Sequence, residues 1–123
     1  KLVRAPLLAR EMKRYRDKNF EMTVRDITFL DRADRQWKEE QQGVLVEEVQ
    51  SGGWAAVGLL QVGDLIMAID GKAVTDVETI RSIMEEMGRG KPKSVTFRVL
   101  RGIYTVFLEV QPRWEAAVAN EKE

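Results

Sequence analysis

The 123-residue sequence predicts an α+β fold: a partly open barrel or sandwich of five to six β-strands, capped by two helices, with an additional N-terminal helix. Three patterns carry this prediction. Apolar and polar residues alternate in 95–99 and again in 104–110, which is typical of half-buried strands. Residues 65–69 are apolar at every position, as expected of a strand covered on both faces. Apolar residues recur at helical spacing in 76–87.

The N-terminal segment, residues 1–18, is predicted to form a helical linker or extension. Pro6 suits the first turn of a helix, and Leu8, Met12 and Tyr15 follow at helical spacing. The segment has seven basic and two acidic residues, a net charge of +5, which can mark a contact with nucleic acid or an anionic membrane. No aromatic residues interleave with these charges to stack bases, so we interpret them as the solvated face of an amphipathic helix and expect no nucleic-acid partner.

Two strands separated by a loop are predicted next. Met22 and Val24 alternate with polar neighbours, which indicates a half-buried first strand. Residues 31–42 are charged and rich in glutamine, and they are predicted to form a surface loop. A second strand, Val44–Val49, ends at the turn signal Ser51–Gly53.

The two capping helices flank the central strand along the chain. The first is short and covers Trp54–Val57. The second, 76–87, has Thr75 as its predicted N-cap, because a threonine hydroxyl can accept a hydrogen bond from a backbone N–H of the first turn. Gly88 and Gly90 are predicted to stop it.

The end of the chain sets the predicted domain limits. Arg101-Gly102 lies between two alternating segments and predicts a tight hairpin turn. We assign 19–112 to the folded domain and 113–123 to a C-terminal tail. Since the chain begins at Lys1 without a methionine, we expect it to be a segment of a longer protein.

The composition excludes most catalytic chemistry. The chain has no histidine and no cysteine, which rules out histidine-based triads, thiol nucleophiles and thiolate or imidazole metal sites, so we expect no enzyme activity, metal or cofactor. Asp64 and Asp70 are interpreted as turn residues that accept hydrogen bonds from nearby backbone N–H groups. No apolar run approaches the roughly 18 residues of a membrane-spanning helix, so no transmembrane segment is expected.

Two stretches of the chain match the sequence pattern of a known family. The family pattern, roughly G-S-P-A-x-x-A-G-L-x-x-G-D-x-I-x-x-I-D/N-G-x-x-V, is matched within 53–74. The matching positions are Ala55, Leu60, Gly63, Asp64, Ile66, Ile69, Asp70, Gly71 and Val74. Residues 20–28 read F-E-M-T-V-R-D-I-T, which is similar to the L-G-L-T-V-R-D-L-T opening common in the PDZ domains of bacterial Deg/HtrA-type serine proteases. The resemblance to the PDZ domain family covers about residues 20 to 112.

The resemblance implies a groove in which an extended peptide adds as a further strand between the first strand and the long helix. The ligand loop and pairing edge would be Asn19, Phe20, Glu21, Met22, Thr23 and Val24, and the opposite wall Val77, Ile80, Arg81 and Met84. For Ile80 and Met84, packing in the core is an equally good interpretation.

The implied function is a non-catalytic module that binds a peptide or an unfolded protein segment and regulates or feeds a protease domain of the parent chain, in the periplasm or cell envelope. One alternative is a structural or assembly module that fills its groove with its own segments or self-associates through the N-terminal helix. Another is the PDZ domain of a metalloprotease or of a secretion component.

The ligand loop departs from the family at Glu21, where the family has glycine. If the loop needs positive φ there, glutamate is strained. Its carboxylate would also repel a peptide's terminal carboxylate, by about 1 kcal/mol in water and about 4 kcal/mol in a partly buried site. We therefore predict that the module reads internal or extended segments, or that Arg25 or Arg81 offsets Glu21; a Glu21 that simply points to solvent is the third interpretation.

A second departure is Gly58-Leu59-Leu60, where the family commonly has A-G-L. The family's glycine suits a left-handed residue at the end of the short helix. We predict that Gly58 takes this role one position early.

Overall fold

The computed structural model describes residues 12–112 and contains, within that range, seven strands and three helices. In chain order they are β1 (Arg14–Asp17), β2 (Met22–Asp26), α1 (Phe29–Arg35), β3 (Val44–Val49), α2 (Trp54–Val57), β4 (Leu65–Ile69), β5 (Lys72–Ala73), α3 (Val77–Gly90), β6 (Val95–Arg101) and β7 (Tyr104–Val110). The predicted α+β class, strands capped by helices, is confirmed, but the strands form one open sheet of seven rather than a barrel or sandwich of five to six.

The strands form one sheet in the order β1-β2-β3-β4-β6-β7, and β5 pairs with β4. Every described pair is antiparallel. The main core lies between this sheet and the helices α2 and α3, and it contains Phe20, Met22, Val24, Ile69, Ile80 and Phe97 among its most buried side chains. A smaller cluster around Ile27, Leu45 and Leu65 covers the other face of the sheet, so β4 is covered on both faces as predicted.

The predicted N-terminal helix is wrong for the described residues 12–18, where the chain forms β1 instead. Burial alternates along this strand: Arg14 and Arg16 are exposed, while Tyr15 is half-buried and Asp17 is buried. This period of two is that of a strand, and the unpaired edge of β2 supplies its hydrogen-bond partners. The first eleven residues of the predicted helix lie outside the described range.

Helix α1 forms where a surface loop was predicted. Thr28 accepts a hydrogen bond from the Asp31 N–H (3.0 Å), and the Asp31 carboxylate accepts one from the Thr28 N–H (2.7 Å). This reciprocal capping box starts the helix, and Gln36 in the left-handed conformation (φ 59°) ends it. None of the helix residues is buried, so apolar periodicity could not have indicated it.

Helix α3 begins one residue later and ends later than predicted. Asp76 rather than Thr75 is the N-cap, and its carboxylate accepts a hydrogen bond from the Thr79 N–H at 2.8 Å. The helix continues through Gly88 and Gly90 because a helical glycine costs only about 1 kcal/mol relative to alanine. Lys91 ends it with φ 48°.

The prediction for Gly58 is also wrong. Gly58 has φ −79°, and Leu59, at the position of the family's glycine, takes the left-handed conformation with φ 74°. The lack of a side chain at Gly58 serves packing instead, because a Cβ there would lie 2.6 Å from Cγ2 of Val110 on β7. Gly58 therefore lets α2 approach the last strand closely.

Candidate functional site

Strand β1 occupies the edge of β2 that the sequence offered to a visiting strand. The two strands pair antiparallel, with Tyr15 opposite Val24 and Asp17 opposite Met22. At the far end of the hairpin, the Asp26 N–H donates to the Lys13 carbonyl at 3.2 Å. The hydrogen bonds of this edge are thus made by the chain itself, on the side of the sheet that faces α3.

The loop between β1 and β2 directs three backbone N–H groups at one residue. The N–H groups of Asn19 and Phe20 donate to Oδ1 of Asp17 at 2.9 and 2.8 Å. The Glu21 N–H donates to the Asp17 carbonyl at 2.7 Å. Successive N–H groups that converge in this way form an anion-binding nest, and here the buried Asp17 carboxylate fills it.

Glu21 takes the backbone conformation of the glycine it replaces. Its φ is 58°, in the left-handed region that a non-glycine residue rarely adopts. A Cβ on Gly53 would lie 2.9 Å from the Glu21 Cβ, so the glycine at 53 makes room for the side chain. Neither Arg25 nor Arg81 forms an ion pair with Glu21 among residues 12–112, so the predicted compensation by these arginines is not found.

Replacing Glu21 with glycine is expected to stabilise the domain by about 0.5 kcal/mol. The left-handed conformation costs an L-residue about 1–2 kcal/mol, and glycine removes this cost. Part of the resulting stabilisation is lost, because glycine also raises the conformational entropy of the unfolded chain. Gln36→Gly is a matched control, since Gln36 has the same φ but lies at the end of α1. Urea unfolding should show a similar gain for both variants; a loss of stability in Glu21→Gly alone would contradict this account.

Tyr15 fills the groove between β2 and α3. Its ring packs against the main core, and the Arg81 guanidinium carbon lies 5.2 Å from the ring centre, within cation–π range. Its hydroxyl donates to Oδ2 of Asp17 at 2.8 Å. Burial, together with this hydrogen bond, raises the pKa of the Tyr15 hydroxyl well above its ordinary value. Met84 and Gly88 line a shallow cavity beside the ring.

The other face of β1 is held by acidic residues of β3. Arg14 makes a bidentate contact with Glu47, Nε–Oε1 2.6 Å and a second nitrogen to Oε2 at 3.1 Å. Arg16 lies 3.4 Å from the Glu48 carboxylate and donates to the Gln50 side chain at 3.1 Å. Arg14 and Arg16, the basic residues of β1, therefore face an acidic strip formed by Glu47 and Glu48 on β3, two strands away.

Arg25 on β2 connects this strip to α1. It is 6% exposed and makes a bidentate contact with Asp31 at 2.7 and 3.1 Å, while its Nε donates to Glu47 at 3.1 Å. Burial alone would raise the pKa of the Asp31 carboxyl, but hydrogen bonds from Arg25 and Thr28 outweigh it and lower that pKa. The hydrogen bonds that Arg25 donates to Asp31 raise the pKa of the Arg25 guanidinium in turn.

Acidification is expected to weaken the contact between β1 and β3. The hydrogen bond from Arg14, and the charges of Arg14 and Arg25, lower the pKa of Glu47 below its ordinary 4.5. Because the folded pKa is depressed, the stability from Glu47 is fully present above about pH 4.5 and is lost as the pH falls through the depressed value. Urea unfolding across this range should show a flatter pH profile for Glu47→Gln than for the unsubstituted chain; identical profiles would contradict the assignment.

The structure distributes the predicted groove residues between core and rim. Val77 and Ile80 are fully buried in the core, as one interpretation of the sequence held for Ile80, and Met84 is buried but borders the groove cavity. Arg81 lies on the rim against Tyr15. In the loop, the backbone of Asn19, Phe20 and Glu21 forms the nest. On β2, Met22 and Val24 are fully buried and Thr23 donates to Glu48 at 3.2 Å.

Sequence reasoning missed Tyr15 and Asp17 because both lay in the predicted helix. The usable signal was the four-residue turn that leads into β2, because β1 itself has Tyr15 as its one apolar residue and shows no apolar period. The interpretation of the two turn aspartates is confirmed. Asp64 accepts from the Gln61 N–H at 2.9 Å, and Asp70 accepts from the Thr96 N–H at 2.7 Å.

Two features are absent from the described residues. No group of three or more acidic, histidine or cysteine side chains within 12–112 is arranged to hold a metal ion. In the same part of the chain, no helix combines the length and apolar character needed to cross a membrane.

The fold presents a sheet margin paired with an extended segment beside a helix, the arrangement by which a β-sheet domain accepts an added strand. The model of the PDZ domain family matches residues 30–100, so the chain belongs to this family. Over 70 residues it is 39% identical to a probable periplasmic serine endoprotease DegP-like from Marinomonas sp. (strain MWYL1), covering 57% of this chain and 14% of the relative. The chain thus spans about a seventh of that curated relative's length.

Solved structures agree with the family. The HtrA-type protease AlgW with a decapeptide superposes with a TM-score of 0.59 at 29% identity, covering 72% of this chain and 26% of that one. The HtrA3 PDZ domain bound to a phage-derived ligand (FGRWV) gives a TM-score of 0.58 at 23% identity, covering 84% of this chain and 88% of that one. This chain therefore resembles the PDZ domains of Deg/HtrA-type proteases.

Proposed function

We propose that this PDZ module binds one extended polypeptide segment by adding it as a strand to β2, in the groove beside α3. The observation that carries the proposal is the β1–β2 hairpin, in which an extended segment already pairs with β2 and places its end in the nest of backbone N–H groups. Main-chain hydrogen bonds would supply affinity, and the sites around Arg81 and Met84 would supply selectivity. AlgW with its decapeptide and the HtrA3 PDZ domain with its phage-derived ligand support peptide binding by the module.

The ligand is an internal or extended segment rather than a free C-terminus. Asp17 supports this choice, because it satisfies the nest while the chain continues through Lys18. The Glu21 carboxylate belongs to the same loop and would repel a terminal carboxylate about 4 Å away by roughly 1 kcal/mol in water and more in a partly buried site. The groove residues Asn19 to Val24 and those of α3 remain a prediction as ligand contacts.

The parent protein in this proposal is a bacterial Deg/HtrA-type serine protease. The module would dock unfolded or extended polypeptide and regulate or feed a protease domain of the same chain, and the periplasm would be its compartment. The DegP-like relative, named as periplasmic, supports both points. In this arrangement 19–112 is the PDZ domain, 1–18 a linker and 113–123 a tail.

A second candidate is an assembly module with no external ligand. The observation that favours it is again β1, which fills the groove with the chain's own residues. Pairing of two copies through residues 1–18 belongs to the same candidate. Size-exclusion chromatography of the chain with and without its first 18 residues tests it, since loss of a dimer on removal would support assembly.

The proposed function is tested by a two-dimensional NMR titration of the whole chain with a peptide that ends in Lys-Arg-Tyr-Arg-Asp, as the free acid and as the carboxamide. We expect saturable shifts of the amides of Thr23, Val24 and Arg81, and affinities of the two forms that agree within about tenfold, or about 1.4 kcal/mol. Shifts confined to other surfaces would overturn strand addition. A larger preference for the free acid would overturn the choice of internal segments.

A further inference from the structure

Strand β1 and a ligand strand need the same hydrogen bonds. The pairs from Arg14–Arg25 to Asp17–Met22 use the whole length of β2 on that edge, and Asp17 uses the three N–H groups of the nest. A strand can pair with only one neighbour on each side, and β3 is the other neighbour of β2. A ligand can therefore add to β2 only when β1 has left.

The contacts of β1 are of a kind that can be broken locally. The strand has four residues, lies at the margin of the sheet, and has Arg14 and Arg16 in solvent. Its contact with Glu48 is an exposed ion pair, which contributes little to stability, and its bidentate contact with Glu47 is partly open to solvent. Short marginal elements with few buried apolar contacts open at a small fraction of the global unfolding free energy. Detaching β1 leaves the pairing of β2 with β3 in place.

The surroundings of β1 are chemically selective. Basic side chains at alternate positions face Glu47 and Glu48 on one side of the strand. On the other side an aromatic ring lies under the Arg81 guanidinium and beside Met84. Glu47 and Glu48 on β3 and Arg81 and Met84 on α3 remain in place when β1 leaves, so they present the same preferences to any strand that replaces it.

We propose that β1 is a tethered competitor of the module's ligand, and that the groove selects extended segments in which two basic residues flank an aromatic one. The proposal rests on the proposed function and adds to it both a regulatory step and a ligand class. If β1 is docked in about 99% of molecules, the apparent dissociation constant of a ligand is raised about 100-fold over that of the open groove. Whatever detaches β1 activates binding.

The competition is tested on the whole chain by substitutions in β1 alone. Arg14→Glu removes the contact with Glu47 and puts two like charges together, and adding Tyr15→Ala removes the ring from the groove. Lys38→Glu, in the exposed loop between α1 and β3, is the control with the same change of charge. Fluorescence polarisation with the labelled peptide ending in Lys-Arg-Tyr-Arg-Asp should show binding at least about tenfold tighter in the double variant, and unchanged in the control.

Three outcomes distinguish a failure of the competition by β1 from a failure of strand addition. Equal affinity of the double variant and the unsubstituted chain overturns the competition while leaving strand addition intact. A double variant that remains folded by circular dichroism yet binds no peptide overturns the proposed function and the competition with it. If the double variant does not fold, Arg14→Glu alone, which leaves Tyr15 in place, is expected to show the same direction of change, and no change there overturns the competition.

The ligand class is tested with two altered peptides and the double variant. A peptide with glutamate at both basic positions beside the tyrosine is expected to bind at least about tenfold more weakly, and the difference should shrink in about 1 M salt, where the Debye length is roughly 3 Å. A peptide with alanine in place of the tyrosine should also bind more weakly, and this difference should persist in salt. Equal binding of all three peptides would overturn the selectivity.

Discussion

The Phe20→Ala variant is expected to lose about 3–5 kcal/mol of unfolding free energy, the usual cost of truncating a buried phenylalanine. Phe20 is 1% exposed, and its ring meets Trp54 edge-on at 5.6 Å between ring centres and Phe97 at 5.8 Å. Truncation removes both aromatic contacts and leaves a cavity beneath the ligand loop. Urea unfolding followed by tryptophan fluorescence measures the loss.

The same residue ties the groove to the core. The Phe20 N–H donates to Asp17, and its carbonyl accepts from the Ala55 N–H at 3.2 Å, so the nest is fixed by the ring below it. Phe107→Ala is the matched control, because this phenylalanine on β7 is 66% exposed and its truncation should cost no more than about 0.5 kcal/mol. Similar losses in the two variants would show that Phe20 is not the anchor described.

Much of the fold could be predicted because the apolar pattern of most elements reflects which of their faces is buried. The apolar run of β4 indicated a strand covered on both faces, and the alternation of β6 and β7 indicated a hairpin. The apolar stripe of α3 likewise records that one side of the helix packs on the sheet. In each case the pattern of apolar residues reflects what the tertiary structure buries.

The elements that were predicted wrongly, α1 and β1, are stabilised by polar and charged contacts rather than by burial of their own apolar residues. Helix α1 buries none of its residues and depends on the capping box of Thr28 and Asp31, a local polar signal inside a segment that looked like a loop. Strand β1 depends on a partner edge and on charges from β3, which lie more than thirty positions along the chain. Neither dependence leaves an apolar period in the sequence.

The candidate site could be predicted in part, from the family resemblance. The resemblance predicted the ligand loop at Asn19 to Met22, whose contact with a ligand stays a prediction, and the positive φ anticipated at Glu21 is found, at 58°. That β1 occupies the groove could not be inferred, because the spacing of Leu8, Met12 and Tyr15 also fits one face of a helix. Which side of α3 each residue faces also required coordinates: Ile80 points to the core, and Arg81 to the rim.

The charged contacts of the site converge on Arg25. Glu47 accepts from Arg14 of β1 and from Arg25 of β2, so one carboxylate links the tethered strand to the strand it covers. Arg25 continues the network to Asp31 and thereby to the start of α1. Its planar guanidinium makes two hydrogen bonds to Asp31 and one to Glu47 at once, which a lysine ammonium could not reproduce.

Replacing Arg25 with alanine is expected to cost about 3 kcal/mol, the low end of the range for breaking a buried ion pair. The arginine side chain is 7% exposed, but Asp31 and Glu47 retain 16% and 28% exposure, so water relieves part of the penalty. Asp31 would lose the arginine that contacts it at two points, whereas Glu47 would keep its contact with Arg14. Arg25→Lys should recover only part of the loss, because it keeps the charge but not the bidentate geometry.

The pH dependence of this loss provides a second, independent readout. Arg25 contributes to the depressed pKa of both Asp31 and Glu47, so in Arg25→Ala these carboxylates gain protons more readily on acidification. The difference in stability between the variant and the unsubstituted chain should therefore be largest near neutral pH and shrink below about pH 4. Arg98→Ala, at an exposed position of β6, should change stability by no more than about 0.5 kcal/mol at any pH. A pH-independent loss in Arg25→Ala would assign its role to packing rather than to charge.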